Sequence, residues 1–230
     1  MSIYKLVKKY EAGGDPAAVS DACGGGDLGG ISYGIHQLSS NAGSVQSFLE
    51  FACKYENDAL ANYGRVLSEL KINGQAFQDE WRRIGTVDPT GFAELQNAYA
   101  KEVYYDQAAE LLRNAGYEIE TKSEAMKAVL FSRSVQYNAG NIVELYTKAC
   151  QTLGHPTLSY VNNKYFDKLM IRAIYEFLEK ECDDAYDAGG GNYHSPLDWA
   201  NGSYDVVKYG LHDRFINEKN DALEMLEEEN

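Results

Sequence analysis

Apolar residues recur along most of this chain at spacings of three and four, the period of a helix that buries one face. Ile3, Leu6, Val7 and Tyr10 share a face in "SIYKLVKKYE". The pattern resumes in "SVQSFLEFACKYE" through Val45, Phe48, Leu49 and Ala52, and again in "NDALANYGRVLSEL", which Asn57 or Asp58 can cap. "GQAFQDEWRRIG" predicts a shorter helix ended by Gly85. "DPTGFAELQNAYAKEVYYDQAAELLRNAG" predicts a long one, with Pro89 in its first turn and Gly116 at its end. "SEAMKAVLFSRSVQYNAG" opens at Ser123 and stops at Gly140. Three further segments, starting near Asn141, Asn163 and Ser203, complete the set. Strand-like alternation never persists, and a short hairpin within residues 28–40 is the one candidate for β structure. The expectation is a mostly α chain, a single domain over residues 1–230 without repeats or linkers. Two glycine-rich stretches interrupt it, residues 12–32 and "DAGGGNYHSP" near residue 190.

Composition narrows the function classes. A formal net charge of −14 over 230 residues argues against nucleic acid, whose binders present basic patches. Part of that charge lies in "EKNDALEMLEEEN", which reads as a solvated helix with an acidic tail. The 18 tyrosines suit a core with a wet edge, and also a sugar-binding cleft. Cys23, Cys53, Cys150 and Cys182 are too widely spaced for a metal site, and the histidines are scattered, so neither metal nor cofactor is expected. The sequence shows no signal peptide and no membrane-length apolar run. The expectation is a monomer made in a cytoplasm and delivered elsewhere by other means, with no membrane partner.

The first glycine-rich stretch, "KYEAGGDPAAVSDACGGGDLGGISYGIHQLSSN", holds the candidate chemistry. Glu11 falls at the end of the first helix, where the negative pole of the helix raises a carboxyl pKa. Asp27 follows on a segment whose glycines let backbone pass close to a ligand. A protonated Glu and an ionised Asp are the pair that glycoside hydrolysis requires. Asp15, before Pro16, reads as a turn former or as a second candidate base. Arg133 is either solvated or holds a carboxylate. Trp81 reads as core, and Trp199 as core or cleft flank in equal measure.

The motif Tyr10-Glu11, Gly14-Asp15-Pro16, Gly26-Asp27, Gly29-Gly30, Ser32-Tyr33-Gly34 and Gln37-Leu38-Ser39-Ser40 resembles peptidoglycan-degrading domains of phage lysins and of the C-terminal effectors on type VI secretion spike proteins. The similarity is dense over this stretch. It continues more thinly through Ser134-Val135-Gln136 and through Arg214, Glu218, Ala222 and Leu226. His36 departs from the aromatic residue expected at its position. The segment after Asp27 also looks like that of the chitosanases of the lysozyme superfamily.

The resemblance implies a lysozyme-like fold of two helical lobes with a cleft, and hydrolysis of the β-1,4 bond between N-acetylmuramic acid and N-acetylglucosamine. It implies Glu11 as general acid and Asp27 as the base that activates water. Gly30, Ser32, Tyr33 and Gln37 are expected to bind substrate from one side, and Gln136 from the other lobe. The partner is then a peptidoglycan glycan strand and the setting a phage endolysin, a tail lysin or a secreted effector. A chitosanase, a lytic transglycosylase and a non-catalytic wall-binding module are the alternatives.

Overall fold

The computed structural model describes residues 2–10, 14–20, 30–189, 193–202 and 211–229. Ten α-helices and one two-stranded sheet are present among them, so the expected mostly α architecture with a small hairpin is what the chain adopts. The chain divides into two compact units, one of residues 11–103 and one of residues 1–10 with 104–230.

The smaller unit holds the strands β1 (Ser32–Tyr33) and β2 (Leu38–Ser39) and the helices α2 (Ser44–Ala52), α3 (Asp58–Ser68), α4 (Gln75–Val87) and α5 (Pro89–Ala100). Its core is aromatic. The Trp81 ring lies 4.9 Å from Phe92, 5.4 Å from Phe48 and 5.2 Å from Tyr33. Trp81 is fully buried, as expected. Asn57 caps α3 by accepting from Ala59 N at 3.1 Å, and Pro89 opens α5 behind an Asp88 cap. Gly85 does not end α4, which runs on to Val87. The glycine serves close approach: a Cβ there would stand 2.6 Å from the Cα of Ala17, so α4 and the 14–20 segment pack backbone against backbone.

Beyond α5 the helical run predicted to Gly116 is continuous but changes period. A six-residue π-helical segment, Lys101–Asp106, separates α5 from α6 (Gln107–Asn114), and Gly116 follows at φ 85°. The larger unit contains α1 (Tyr4–Tyr10), α6, α7 (Glu124–Tyr137), α8 (Ile142–Thr152), α9 (Asp167–Asp187) and α10 (His212–Glu228). α7 is central, touching α1, α6, α8, α9 and α10, with ten of its fourteen residues buried. Ser123 caps it through Met126 N at 3.1 Å, and it stops at Asn138, φ 66°, two residues before Gly140. The acidic end of the chain is not merely a solvated face. Glu218, Ala222 and Met225 of α10 are buried, and the Glu229 carboxylate accepts from the α7 first-turn amides of Glu124 and Ala125 at 3.1 and 2.8 Å. Among the described residues no helix is long and apolar enough to cross a membrane.

Candidate active site

In the smaller unit the described parts of the first glycine-rich stretch form a narrow ladder. Ser32 and Tyr33 pair with Ser39 and Leu38, and Val19 bridges to Tyr33 on the opposite side. Asp15 proves to be a turn former, its carboxylate accepting from Ala17 N at 2.8 Å. The ladder is tied to the core by a buried amide. Gln96 donates to Pro16 O at 3.0 Å and accepts from Ile35 N at 2.8 Å, while the Trp81 indole also donates to Pro16 O, at 2.9 Å. Gly34 turns the hairpin at φ 67°, and a Cβ there would meet Gln96 Oε1 at 2.1 Å. Glycine is required at Gly34 for both reasons.

The residues expected to bind sugar from this side separate into different roles. Tyr33 is fully buried between Phe77 and Trp81, and its hydroxyl donates to Asn73 Oδ1 at 3.0 Å. Burial raises that hydroxyl's pKa. Tyr33 therefore has no surface to offer a ligand, which corrects its expected place in a cleft lining: it anchors the hairpin. Gly30 admits the chain to the hairpin at φ 71°, where a Cβ would crowd Ser40 Oγ at 2.7 Å. Ser32 is half-buried and its amide donates to Ser20 Oγ at 2.8 Å. Gln37 is the exposed one, held at φ 49° on the hairpin turn. Beside it His36 is buried, with Nε2 3.0 Å from Asn97 Oδ1 and Nδ1 without a partner among the described residues. Burial pushes its pKa down to about 4, so the ring is neutral at pH 7.

Glu11, Asp27 and Cys23 lie outside the described residues. What the larger unit does show is how the chain is held up to Glu11. The Tyr10 hydroxyl donates to Asp221 Oδ2 at 2.5 Å, Lys9 Nζ reaches the same oxygen at 2.5 Å, and the Arg214 guanidinium lies 5.9 Å from the Tyr10 ring centre. Burial, then the Asp221 hydrogen bond, pushes the Tyr10 hydroxyl up to about 12. Arg214 Nε stands 3.6 Å from Glu218 Oε2, which pairs with Arg133 Nη2 at 2.5 Å. Arg133 and Glu218 are both fully buried, so Arg133 is the carboxylate holder and not the solvated residue. Its other Nη donates to Gln136 Oε1, which fixes the half-buried Gln136 side chain. Cation–ring, ion-pair and hydrogen-bond contacts thus connect the residue preceding Glu11 to Gln136.

The second glycine-rich stretch is latched to α9. Tyr193 and Ser195 hydroxyls each donate to buried Glu181 at 2.5 Å, and burial raises the pKa of that carboxyl. The Trp199 ring lies 5.0 Å from Tyr137. Among the described residues no group of His, Cys, Asp and Glu could hold a metal ion. Sequence reasoning missed Gln96, Asn73 and Glu181. Each sits in an ordinary amphipathic or loop context and carries no local signal.

Comparison with solved structures places this architecture in a class. A crystal structure of a mutant chitosanase from Bacillus subtilis MY002, complexed with 6 GlcN, aligns with a TM-score of 0.56 over 99% of this chain and 88% of that one, at 14% identity. The chain shares the mostly helical, lysozyme-like fold of that structure. The sequence is more specific: the profile of the family described as "Type VI secretion system spike protein VgrG3-like, C-terminal" matches residues 3–195, and the chain belongs to that family. The type VI secretion system spike protein VgrG3 of Vibrio cholerae serotype O1 is 33% identical over 134 residues. That alignment takes in 58% of this chain and only 12% of the Vibrio protein.

Proposed function

We propose that the chain is a muramidase, hydrolysing the β-1,4 bond between N-acetylmuramic acid and N-acetylglucosamine in peptidoglycan after delivery to a bacterial wall. The observation that carries the reading is the family match over residues 3–195, which spans Glu11, Asp27, the hairpin and Gln136. The fold likeness to a glycan-cleaving enzyme supports it. In this reading Glu11 gives its proton to the glycosidic oxygen as the bond to the anomeric carbon breaks. Asp27 takes a proton from a water that attacks that carbon from the opposite face, inverting its configuration. Gln37 on the exposed turn and Gln136, steadied by Arg133, are the sugar-binding amides. The proposed unit of activity is one domain made of both compact units.

The test is the product. Wild-type protein on purified peptidoglycan should yield muropeptides ending in reducing N-acetylmuramic acid, and Glu11→Gln should lose roughly 10²–10⁴-fold in rate while folding normally. Predominantly 1,6-anhydro ends, lighter by one water, indicate a transglycosylase and remove the base role from Asp27. A second reading, chitosanase activity, is favoured by the GlcN complex of the structural neighbour. Release of glucosamine oligomers from chitosan, with no release from peptidoglycan, decides for it.

A further inference from the structure

The larger unit carries a cavity that the proposed chemistry does not use. Its volume is about 540 Å³, and it opens where α7 and α9 begin. Lys122, Lys164 and Lys168 line it, in a chain whose net charge is −14. Lys122 is buried, its ammonium bonded to Asn162 Oδ1 at 2.7 Å and 4.8 Å from the Tyr117 ring centre, so it is a fixed positive wall. Lys164 is exposed and has no ion-pair partner among the described residues, while the exposed Lys168 reaches Glu227 Oε1 at 3.4 Å, a solvent-facing pair that a ligand carboxylate can replace. Tyr165 beside it is 83% exposed, an apolar ring held out at the rim.

Two carboxylates in the lining bear on which anion would fit. Glu229 lines it and places its carboxylate on the amides of Glu124 and Ala125. Asp167, also in the lining, accepts from Ser123 N at 2.7 Å. These two carboxylates disfavour a dianionic phosphate, whereas a monoanionic carboxylate with neighbouring amide N–H groups matches ammonium and carboxylate walls alike. We infer that this cavity binds the free carboxylate end of a short peptide, with Lys164 and Lys168 on the carboxylate and Tyr165 against the peptide side chains. Given the proposed function, the source is the peptide stem of the wall. The inference rests on that reading only for the source of the peptide.

The experiment titrates N-acetyl-alanyl-alanine, its C-terminal amide and inorganic phosphate into the intact chain, read by amide chemical shifts. The carboxylate peptide should give saturable shifts at Thr121, Ser123, Lys164 and Lys168. The amide should bind at least about tenfold more weakly. Lys164→Gln with Lys168→Gln, both exposed positions, should abolish the shifts without altering the melting temperature. Equal binding of peptide and amide, unaltered binding by the double variant, absence of saturable shifts at these residues, or the same shifts from phosphate at lower concentration would each overturn the inference. Glycan cleavage by the double variant is measured separately: failure of wild-type cleavage overturns the muramidase reading alone, and failure of peptide binding overturns the cavity alone.

Discussion

Gly34 and His36 show how much of the hairpin rests on single side chains. Gly34→Ala meets a double obstacle, a left-handed φ of 67° and Gln96 Oε1 at 2.1 Å from the new Cβ. It should cost at least about 2 kcal/mol, seen as a lower denaturation midpoint with unchanged slope. His36 adds a pH dependence. Its folded pKa of about 4 lies below the ordinary 6.5. Protonation therefore favours the unfolded chain: the stabilisation is whole above pH 6.5 and is lost as the pH falls toward 4. The loss should approach about 3 kcal/mol. His36→Phe keeps an aromatic ring at this position and removes the titrating group, so its melting temperature should fall less than the wild type's between pH 6.5 and 4. Parallel pH profiles for the two proteins would show that His36 does not carry this dependence.

At the scale of elements, α7 and α10 are joined by a buried ion pair, and the expected outcome depends on how it is removed. Arg133→Met takes from the buried Glu218 its closest cation and leaves it facing Arg214 at 3.6 Å, and Glu218→Leu takes from the buried Arg133 its carboxylate. Each should cost about 3–5 kcal/mol. The Arg133→Met, Glu218→Leu double variant should cost less than the sum of the two single changes, and a thermodynamic cycle of urea midpoints measures the difference. Additive losses would mean the two side chains do not act as a pair. This pair also marks where sequence reading stops. Helix starts were legible at Asn57, Pro89 and Ser123 because capping is local chemistry. The hairpin was legible because Gly34 and Ser32-Tyr33 sit within a few residues of Leu38. Gly85 misled because a glycine for close approach and a glycine for termination look alike until Ala17 is seen opposite it. Arg133 and Glu218 are 85 residues apart, and a charged residue at helical spacing ordinarily faces water. Tyr33 misled for the same reason as Gly85: a motif tyrosine for packing and one for binding differ only in what surrounds the ring.

The molecule as a whole carries −14 and a pI of about 4.7, and that charge must meet its substrate. Bacterial walls are rich in carboxylates, so encounter with peptidoglycan is opposed at long range by like charge. Chitosan is a polycation, and the same protein charge would draw it in. The two candidate substrates therefore predict opposite responses to ionic strength. Raising salt from roughly 10 to 150 mM shortens the screening length from about 30 to about 8 Å. On insoluble peptidoglycan at concentrations below saturation, the initial rate should rise severalfold across that range, because repulsion is screened while the bond-breaking step between neutral sugars is unaffected. On chitosan any rate should fall. Acidic surface changes away from the lysines offer the internal control: Glu110→Gln with Glu224→Gln, both exposed, should raise the low-salt rate on peptidoglycan and leave the rate at 150 mM unchanged. A rate on peptidoglycan that falls with salt would mean that local cationic contacts govern encounter and not net charge. The Lys164→Gln, Lys168→Gln variant then shows whether the lysine-lined cavity supplies those contacts.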